Sequence, residues 1–151
     1  MRMKKLLVTL IISAFCSILA NAQPQHVRWT YESKAISGNL FEISITVTPD
    51  PGWHVYDTLK TDFGPSATVV SIDTAGGVKV VEGPEVDGKL HKTYDKDYMM
   101  EVGYFEGPVT FTHKVNVPSG VESVSANLEW MSCNNVNCDR PAQVTMEIRV
   151  R

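Results

Sequence analysis

The sequence lacks the patterns that mark several common classes of enzyme and binding protein. It contains no G-x-S-x-G nucleophile motif, no H-E-x-x-H zinc motif and no glycine-rich phosphate loop, so nothing indicates hydrolytic or nucleotide chemistry. Beyond its N-terminal segment it has no run of Lys or Arg, which argues against nucleic acid or an anionic membrane surface as a partner. Beyond its N-terminal segment, no stretch is apolar enough to cross a membrane, and no window has helical spacing of apolar residues.

The longest apolar run lies at the N-terminus. The basic start MRMKK precedes the run LLVTLIISAFCSIL, and the small-x-small sequence ANA follows, ending at Ala22. This is the pattern of a cleavable secretory signal peptide. We therefore expect residues 1–22 to be removed and residues 23–151 to reach the periplasm or to be secreted. An uncleaved anchor is disfavoured by the short run, and a lipid on Cys16 is disfavoured by the bulky Phe15 before it.

The exported part of the chain is acidic and contains few cysteines. The full sequence has 14 Lys and Arg and 17 Asp and Glu, and the signal segment holds three of the basic residues, which leaves a formal net charge of −6. Of three cysteines, only Cys133 and Cys138 remain, so they form the one intramolecular disulfide available in an oxidising compartment. A chain of this size can bury a core without a covalent cross-link.

Alternation of apolar and polar residues, typical of half-buried strands, recurs along the chain. It is clearest in FEISITV, VSANLEW and VTMEIRV, and weaker strand candidates are residues 27–31, 68–72, 78–81 and 109–117. Turn signals separate these segments: PDPG at 49–52, Gly76-Gly77, Gly83-Pro84, Gly107-Pro108 and PSG at 118–120. About seven to nine short strands predict an all-β fold, a single immunoglobulin-like antiparallel β-sandwich, with a small closed barrel as the alternative.

The segment LEWMSCNNVNCDRPA places the two cysteines around a polar turn. Residues 128–133 are predicted to be a strand, NNVN a tight connection, and residues 143–150 the returning strand. Alternation puts Trp130 on the core face and therefore Met131 and Cys133 on the other, so we expect the cysteine pair at the outer face or edge of a sheet. Closing so short a loop contributes only about 2 kcal/mol, and such loops are often strained and easily reduced. These properties favour a pair that reacts.

Other interpretations of the pair stay open. The first is a purely structural disulfide in a secreted immunoglobulin-like binding module. The second is a copper-binding domain, because Met131 neighbours Cys133, Met99-Met100 lies elsewhere in the chain, and soft sulfur ligands select Cu(I). Zinc is less favoured, because the four histidines show no paired spacing: His26, His54, His91 and His113.

Two stretches together resemble a known family. GWHVY, beginning at Gly52, followed much later by WMSC and CDRP around the cysteines, is similar to the N-terminal periplasmic domain of the DsbD family of transmembrane thiol:disulfide interchange proteins. The likeness covers most of residues 23–151. It implies an immunoglobulin-like protein-disulfide oxidoreductase domain that needs no cofactor and relays electrons from a thioredoxin-like domain to periplasmic oxidoreductases. It also implies that Cys138 meets the partner and that Cys133 resolves the mixed disulfide.

The family shields its cysteine pair with an aromatic cap loop, and the matching region here is YDKDYMME, residues 94–101. The resemblance makes Tyr98 the expected lid and Tyr94 the second candidate, with Asp97 and Met99 beside them in the loop. Its acidic residues are expected to raise the pKa of a nearby thiol. His54, offset by one from the core-or-rim residue Trp53, is expected to face solvent without a role.

Three features depart from the family pattern. The spacing of four residues between the cysteines is shorter than is common in the family, and Tyr98 stands where a phenylalanine is expected. No membrane or thioredoxin-like domain follows up to Arg151. We therefore expect the reductant to be a separate membrane-bound polypeptide, and the other partners to be thioredoxin-like periplasmic oxidoreductases, with no nucleic acid and no small-molecule substrate.

Overall fold

The computed structural model describes residues 25–151, in which the chain forms strands joined by turns and loops. The predicted signal peptide and Cys16 lie outside these residues. Within them, no helix is long and apolar enough to span a membrane, and the one helical element is a short 3-10 turn, Ala75–Gly77. The strands are β1 (Val27–Ser37), β2 (Leu40–Pro49), β3 (His54–Tyr56), β4 (Val69–Ile72), β5 (Lys79–Gly88), β6 (His91–Asp95), β7 (Met100–Phe105), β8 (Val109–Asn116), β9 (Ser123–Trp130), β10 (Ser132–Cys133) and β11 (Ala142–Arg149).

The strands form three antiparallel sheets. Sheet A has the order β1-β2-β8-β5, sheet B the order β10-β3-β7-β6, and sheet C the order β11-β9-β4. Sheets A and C contribute most of one large cluster of buried apolar residues, and Val55 and Phe105 of sheet B join it. The predicted all-β sandwich of immunoglobulin-like type is confirmed.

The clearest alternating segments are strands of this sandwich, as predicted. Every second residue of β2 is buried, beginning at Phe41, and β9 buries alternate residues from Val124 to Trp130. In the register of the sheets, Ile45 of β2 lies opposite Phe111 of β8. Alternation succeeds here because each of these strands buries one face and leaves the other at or near the surface.

The predicted turn at Gly83-Pro84 is wrong, because β5 continues through both residues. The strand is exposed along its whole length at the edge of sheet A, and its register against β8 shifts between Val80 and Glu82 and again between Glu82 and Glu85. Gly83 has φ +112°, and a Cβ atom there would lie 2.6 Å from the Thr112 carbonyl oxygen. Glycine and proline are tolerated at such a bulge because an edge strand pairs on one side only.

Sheet B covers a second, smaller cluster that lies on the other side of the chain from Trp130. Tyr56, Val102, Met131 and Cys133 form this cluster. Met131 and Cys133 face away from the large core, as alternation predicts, and β10 lies at the edge of sheet B, one of the two positions expected for the cysteine pair. Cys133 is only 1% exposed, because β3 pairs with β10 and brings the rest of sheet B beside it.

Candidate functional site

The two cysteines lie directly opposite each other in a hairpin that continues from β9. Their sulfur atoms are bonded at 2.01 Å and their Cα atoms are 4.0 Å apart. One backbone hydrogen bond lies on each side of the pair, from Asp139 N–H to Ser132 O (2.8 Å) and from Asn134 N–H to Asn137 O (2.8 Å). The cysteines therefore occupy a non-hydrogen-bonded position of an antiparallel pair, where side chains approach most closely.

The turn between the cysteines is held by its first residue. Oδ1 of Asn134 accepts the backbone N–H groups of Val136, at 2.8 Å, and of Asn137, at 2.7 Å. Asparagine favours such turns because its side chain can replace a backbone acceptor. The structure thus contains the tight polar connection that the NNVN sequence predicts.

The two sulfur-bearing residues differ in their access to solvent. Cys133 is buried in the small cluster, whereas Cys138 is exposed. Cys133 also pairs across the sheet with His54 of β3, which holds it inside sheet B. The two ends of the disulfide are therefore unequal in exposure, with Cys138 on the solvent side.

A cleft of about 390 Å³ lies over the disulfide. Both cysteines line it, together with side chains from β3, β6, β7 and the cap loop. Its other lining residues are His54, Tyr56, Thr93, Asp95, Asp97, Tyr98, Val102, Tyr104, Glu106, Asn134 and Asn135. The cleft thus combines the disulfide-bonded cysteines with aromatic rings and acidic side chains.

The structure separates the four cap-loop candidates into two groups. Tyr98 and Asp97 line the cleft with the cysteines. Tyr94 and Met99 lie outside it and are 61% and 76% exposed. Asp95 holds the turn, because its Oδ1 accepts the backbone N–H groups of Asp97 at 2.8 Å and of Tyr98 at 3.2 Å.

The Tyr98 ring meets a second tyrosine of the cleft. It lies edge-on to Tyr56, with ring centroids 6.4 Å apart and planes 85° apart. Burial, then the neighbouring Tyr98, Asp95 and Asp97, raises the pKa of Tyr56 to about 12. Burial, followed by Asp95 and Asp97, also raises the pKa of Tyr98. Both phenols therefore remain neutral at physiological pH.

His54 is half-buried in the cleft, so the expectation that it faces solvent is wrong. Its ring lies 5.2 Å from that of Tyr56 and 4.9 Å from that of Tyr104, measured between centroids. Burial lowers the pKa of His54, although Glu106 and Asp95 act in the opposite direction. The alternation pattern placed the His54 side chain on the face away from the main core. Only the pairing of β3 with β10 shows what covers it there.

Sequence reasoning also missed a polar cluster behind the hairpin. Oδ2 of Asp139 lies 2.8 Å from His26 Nδ1 and accepts a hydrogen bond from Ser132 Oγ at 2.9 Å. Asp139 directly follows Cys138 in the sequence, so its position near the cysteine pair could have been inferred. Its partner His26 is 113 residues away, and no pattern in the sequence connects the two.

The possible metal ligands beside the cysteines are methionine sulfurs rather than a cluster of His, Cys, Asp or Glu side chains. No group of three or more His, Cys, Asp or Glu side chains in residues 25–151 is arranged to hold a metal ion. Met131 shares the small buried cluster with Cys133, and Met100 packs against that cluster.

The fold and the hairpin together define a class of protein, a β-sandwich that displays a disulfide with one exposed cysteine at the end of a sheet. The family described as "Thiol:disulfide interchange protein DsbD, N-terminal" matches residues 21–148. The chain belongs to this family and is a thiol–disulfide exchange domain. A comparison with curated proteins gives no match.

Two solved structures are similar in fold. The N-terminal periplasmic domain of ScsB from Proteus mirabilis superposes with a TM-score of 0.62 at 14% identity, over 87% of this chain and 49% of that one. The chain thus spans about half the length of the ScsB domain. The Neisseria meningitidis DsbD N-terminal domain in its reduced form gives a TM-score of 0.52 at 12% identity, over 79% of this chain and 83% of that one.

Proposed function

We propose that residues 23–151, after removal of residues 1–22, act in the periplasm as an electron relay between proteins. In this role the Cys133–Cys138 pair takes two electrons from a membrane-bound reductant and passes them to thioredoxin-like oxidoreductases. Membership of the DsbD N-terminal family supports exchange with thiol–disulfide partners, and the similar ScsB domain is periplasmic.

The observation that carries the proposal is the unequal exposure of the two cysteines. In the reduced state, the Cys138 thiolate attacks one sulfur of a partner disulfide, which breaks that bond and forms a mixed disulfide. Cys133 then attacks the Cys138 sulfur, restores the internal disulfide and releases the partner as a dithiol. Two electrons and two protons pass to the partner. The burial of Cys133 in the small cluster supports Cys138 as the first sulfur to meet a protein.

Tyr98 acts as the displaceable lid in this proposal. Its ring lines the same cleft as both sulfur atoms and sits in a turn between two strands, so it can move without disturbing the main core. Asp95, Asp97 and Glu106 line the cleft as well. Negative charges near a thiol disfavour its thiolate, so these carboxylates, together with the Tyr98 lid, protect the reduced pair from small oxidants until a partner docks.

Trapping of a mixed disulfide tests the relay. With the resolving sulfur removed, Cys133→Ala should accumulate a covalent complex with a thioredoxin-like oxidoreductase through Cys138, visible on a non-reducing gel. Cys138→Ala is the matched control and should trap far less, because its remaining thiol is buried.

Other outcomes of the same experiments would replace the proposal. If neither variant forms a complex, and mild reduction unfolds the wild-type protein, the disulfide is a structural cross-link of a binding module. Stoichiometric uptake of Cu(I) that is lost in both cysteine variants would instead support a copper-binding domain.

A further inference from the structure

One carboxylate joins three separate segments of the chain beside the exposed cysteine. Asp139 directly follows Cys138, and its Oδ2 accepts hydrogen bonds from Ser132 Oγ at 2.9 Å and from His26 Nδ1 at 2.8 Å. The backbone N–H of His26 makes a longer contact with the same oxygen, at 3.4 Å. Since Ser132 directly precedes Cys133, the carboxylate connects the residues that neighbour both cysteines.

His26 is itself fixed against the turn before β3. Its ring stacks on the indole of Trp53, with centroids 3.6 Å apart and planes 5° apart, and its carbonyl accepts the N–H of Asp50 at 2.8 Å. Trp53 leads directly into β3, which pairs with the strand of Cys133. The contacts therefore form a closed ring from the hairpin through Asp139, His26 and Trp53 and back through β3.

The strands that carry the cysteines are held together by few contacts. β10 is two residues long, and its pairing with the returning chain at Cys133 and Cys138 is an isolated bridge. Besides the disulfide, the flanking backbone hydrogen bonds and the Asp139 side chain link the two strands. The bonds of Asp139 are partly shielded from water, because Ser132 is fully buried and the Asp139 side chain is 18% exposed.

Building on the proposed exchange function, we infer that Asp139 is a positioning residue that holds Cys138 opposite Cys133 while the disulfide is open. Closing a disulfide costs less chain freedom when its thiols are already held together. Asp139 therefore raises the equilibrium constant for forming the disulfide. Burial alone would raise the pKa of Asp139, but the hydrogen bonds from His26 and Ser132 outweigh it and lower that pKa, so the acceptor stays ionised at neutral pH.

The redox equilibrium of the full chain with glutathione tests the inference. The protein disulfide and two glutathione thiols exchange for a protein dithiol and one glutathione disulfide, so no partner protein is required. Asp139→Asn and His26→Phe should each weaken the protein disulfide by about three- to tenfold, the range of a net hydrogen-bond contribution. His26→Phe keeps an aromatic ring against Trp53 and keeps the carboxylate, but it lacks the donor.

Two further variants separate positioning from charge. His26→Asn places an amide nitrogen near the Nδ1 position and should restore the wild-type constant. Asp87→Asn removes one negative charge from the exposed edge strand β5 and should leave the constant unchanged. If Asp139→Asn weakens the disulfide but His26→Phe does not, the effect belongs to the charge and the inference is wrong. An unchanged redox equilibrium constant in both Asp139→Asn and His26→Phe would also overturn the inference.

Amide hydrogen exchange provides a readout that a purely structural role would not reproduce. The backbone N–H of residue 139, which is bonded to Ser132 O, should exchange faster in Asp139→Asn and His26→Phe than in the wild type when the cysteine pair is reduced. When the pair is oxidised, it should exchange at the wild-type rate. Equal acceleration in both redox states would contradict positioning. Mixed-disulfide trapping by Cys133→Ala is measured separately, so a failure of the relay proposal and a failure of this one are distinguishable.

Discussion

The two buried clusters found within residues 25–151 differ in size and in their surroundings. The large cluster holds twenty buried residues contributed mainly by sheets A and C, whereas the small one beside sheet B holds four, including Cys133. The small cluster borders the open cleft over the disulfide. This difference indicates that stability rests mainly on the large cluster, so the small one can accommodate a bond that opens and closes.

Truncation in the large cluster should give the largest loss of stability. Phe111 is fully buried between neighbours in that cluster. Phe111→Ala should lower the free energy of unfolding by about 3–5 kcal/mol, through lost apolar burial and the cavity left behind. Urea denaturation followed by circular dichroism measures this loss.

A size-matched pair makes the comparison direct. Val115 lies in the large cluster and Val102 in the small one, and both are buried. Val115→Ala should cost about 2–3 kcal/mol, and Val102→Ala clearly less, because a site near an open cleft relaxes more readily. Equal losses of stability in the two variants would contradict the inference that stability rests mainly on the large cluster.

Opening the disulfide should have a smaller effect than truncating the large cluster. It closes a short loop, with a sequence separation of five residues, so reduction should lower the free energy of unfolding by only about 2 kcal/mol. The reduced protein should keep its far-ultraviolet circular dichroism and its tryptophan signals. Unfolding on mild reduction would show instead that the small cluster is essential to the fold.

The fold of the large cluster could be predicted from the sequence, because burial of one face leaves a period-two pattern. β2, β8, β9 and β11 carry that pattern, and their strand pairing follows it. Apart from β10, which lies within the predicted strand 128–133, the strands of sheet B could not be found in this way. β3 has three residues, and β6 is exposed or half-exposed throughout, so neither shows a buried stripe of useful length.

The site was predictable only where it is local in sequence. The spacing of Cys133 and Cys138 around a polar turn indicated the hairpin, and the family resemblance indicated Tyr98. The surroundings of His54 and the link from His26 to Asp139 depend on contacts between distant segments. Such contacts are decided by the packing of sheet B and of the N-terminal segment, which no local pattern records.

One buried histidine of β8 should make the stability of the folded state sensitive to acid. His113 is buried in β8, and its Nδ1 has no hydrogen-bond partner within residues 25–151. Burial lowers the pKa of His113. The unfolded chain therefore binds a proton first as the pH falls below about 6.5, and the folded state loses stability from that pH downward until its own lowered pKa is reached.

Replacing this histidine should flatten the acid limb of the stability curve. His113→Leu should change the free energy of unfolding at neutral pH by no more than about 1 kcal/mol, while reducing its decline towards about pH 5. His54, whose pKa burial also lowers, should maintain part of the slope. An identical slope in His113→Leu would show that this imidazole does not govern acid sensitivity.

The smallest effect on stability, and the clearest effect on access, should come from the cap loop. Tyr98 lines the cleft over the disulfide, whereas Tyr94 lies outside it. Tyr98→Ala should cost less than about 1 kcal/mol of stability, yet speed reduction of the disulfide by dithiothreitol about fivefold or more, because access limits exchange. Tyr98→Phe keeps the ring and should react at the wild-type rate, and Tyr94→Ala should do the same. Since Tyr94 and Tyr98 belong to one loop, equal rates in their alanine variants would mean that loop mobility, rather than the Tyr98 ring, controls access to the sulfur atoms.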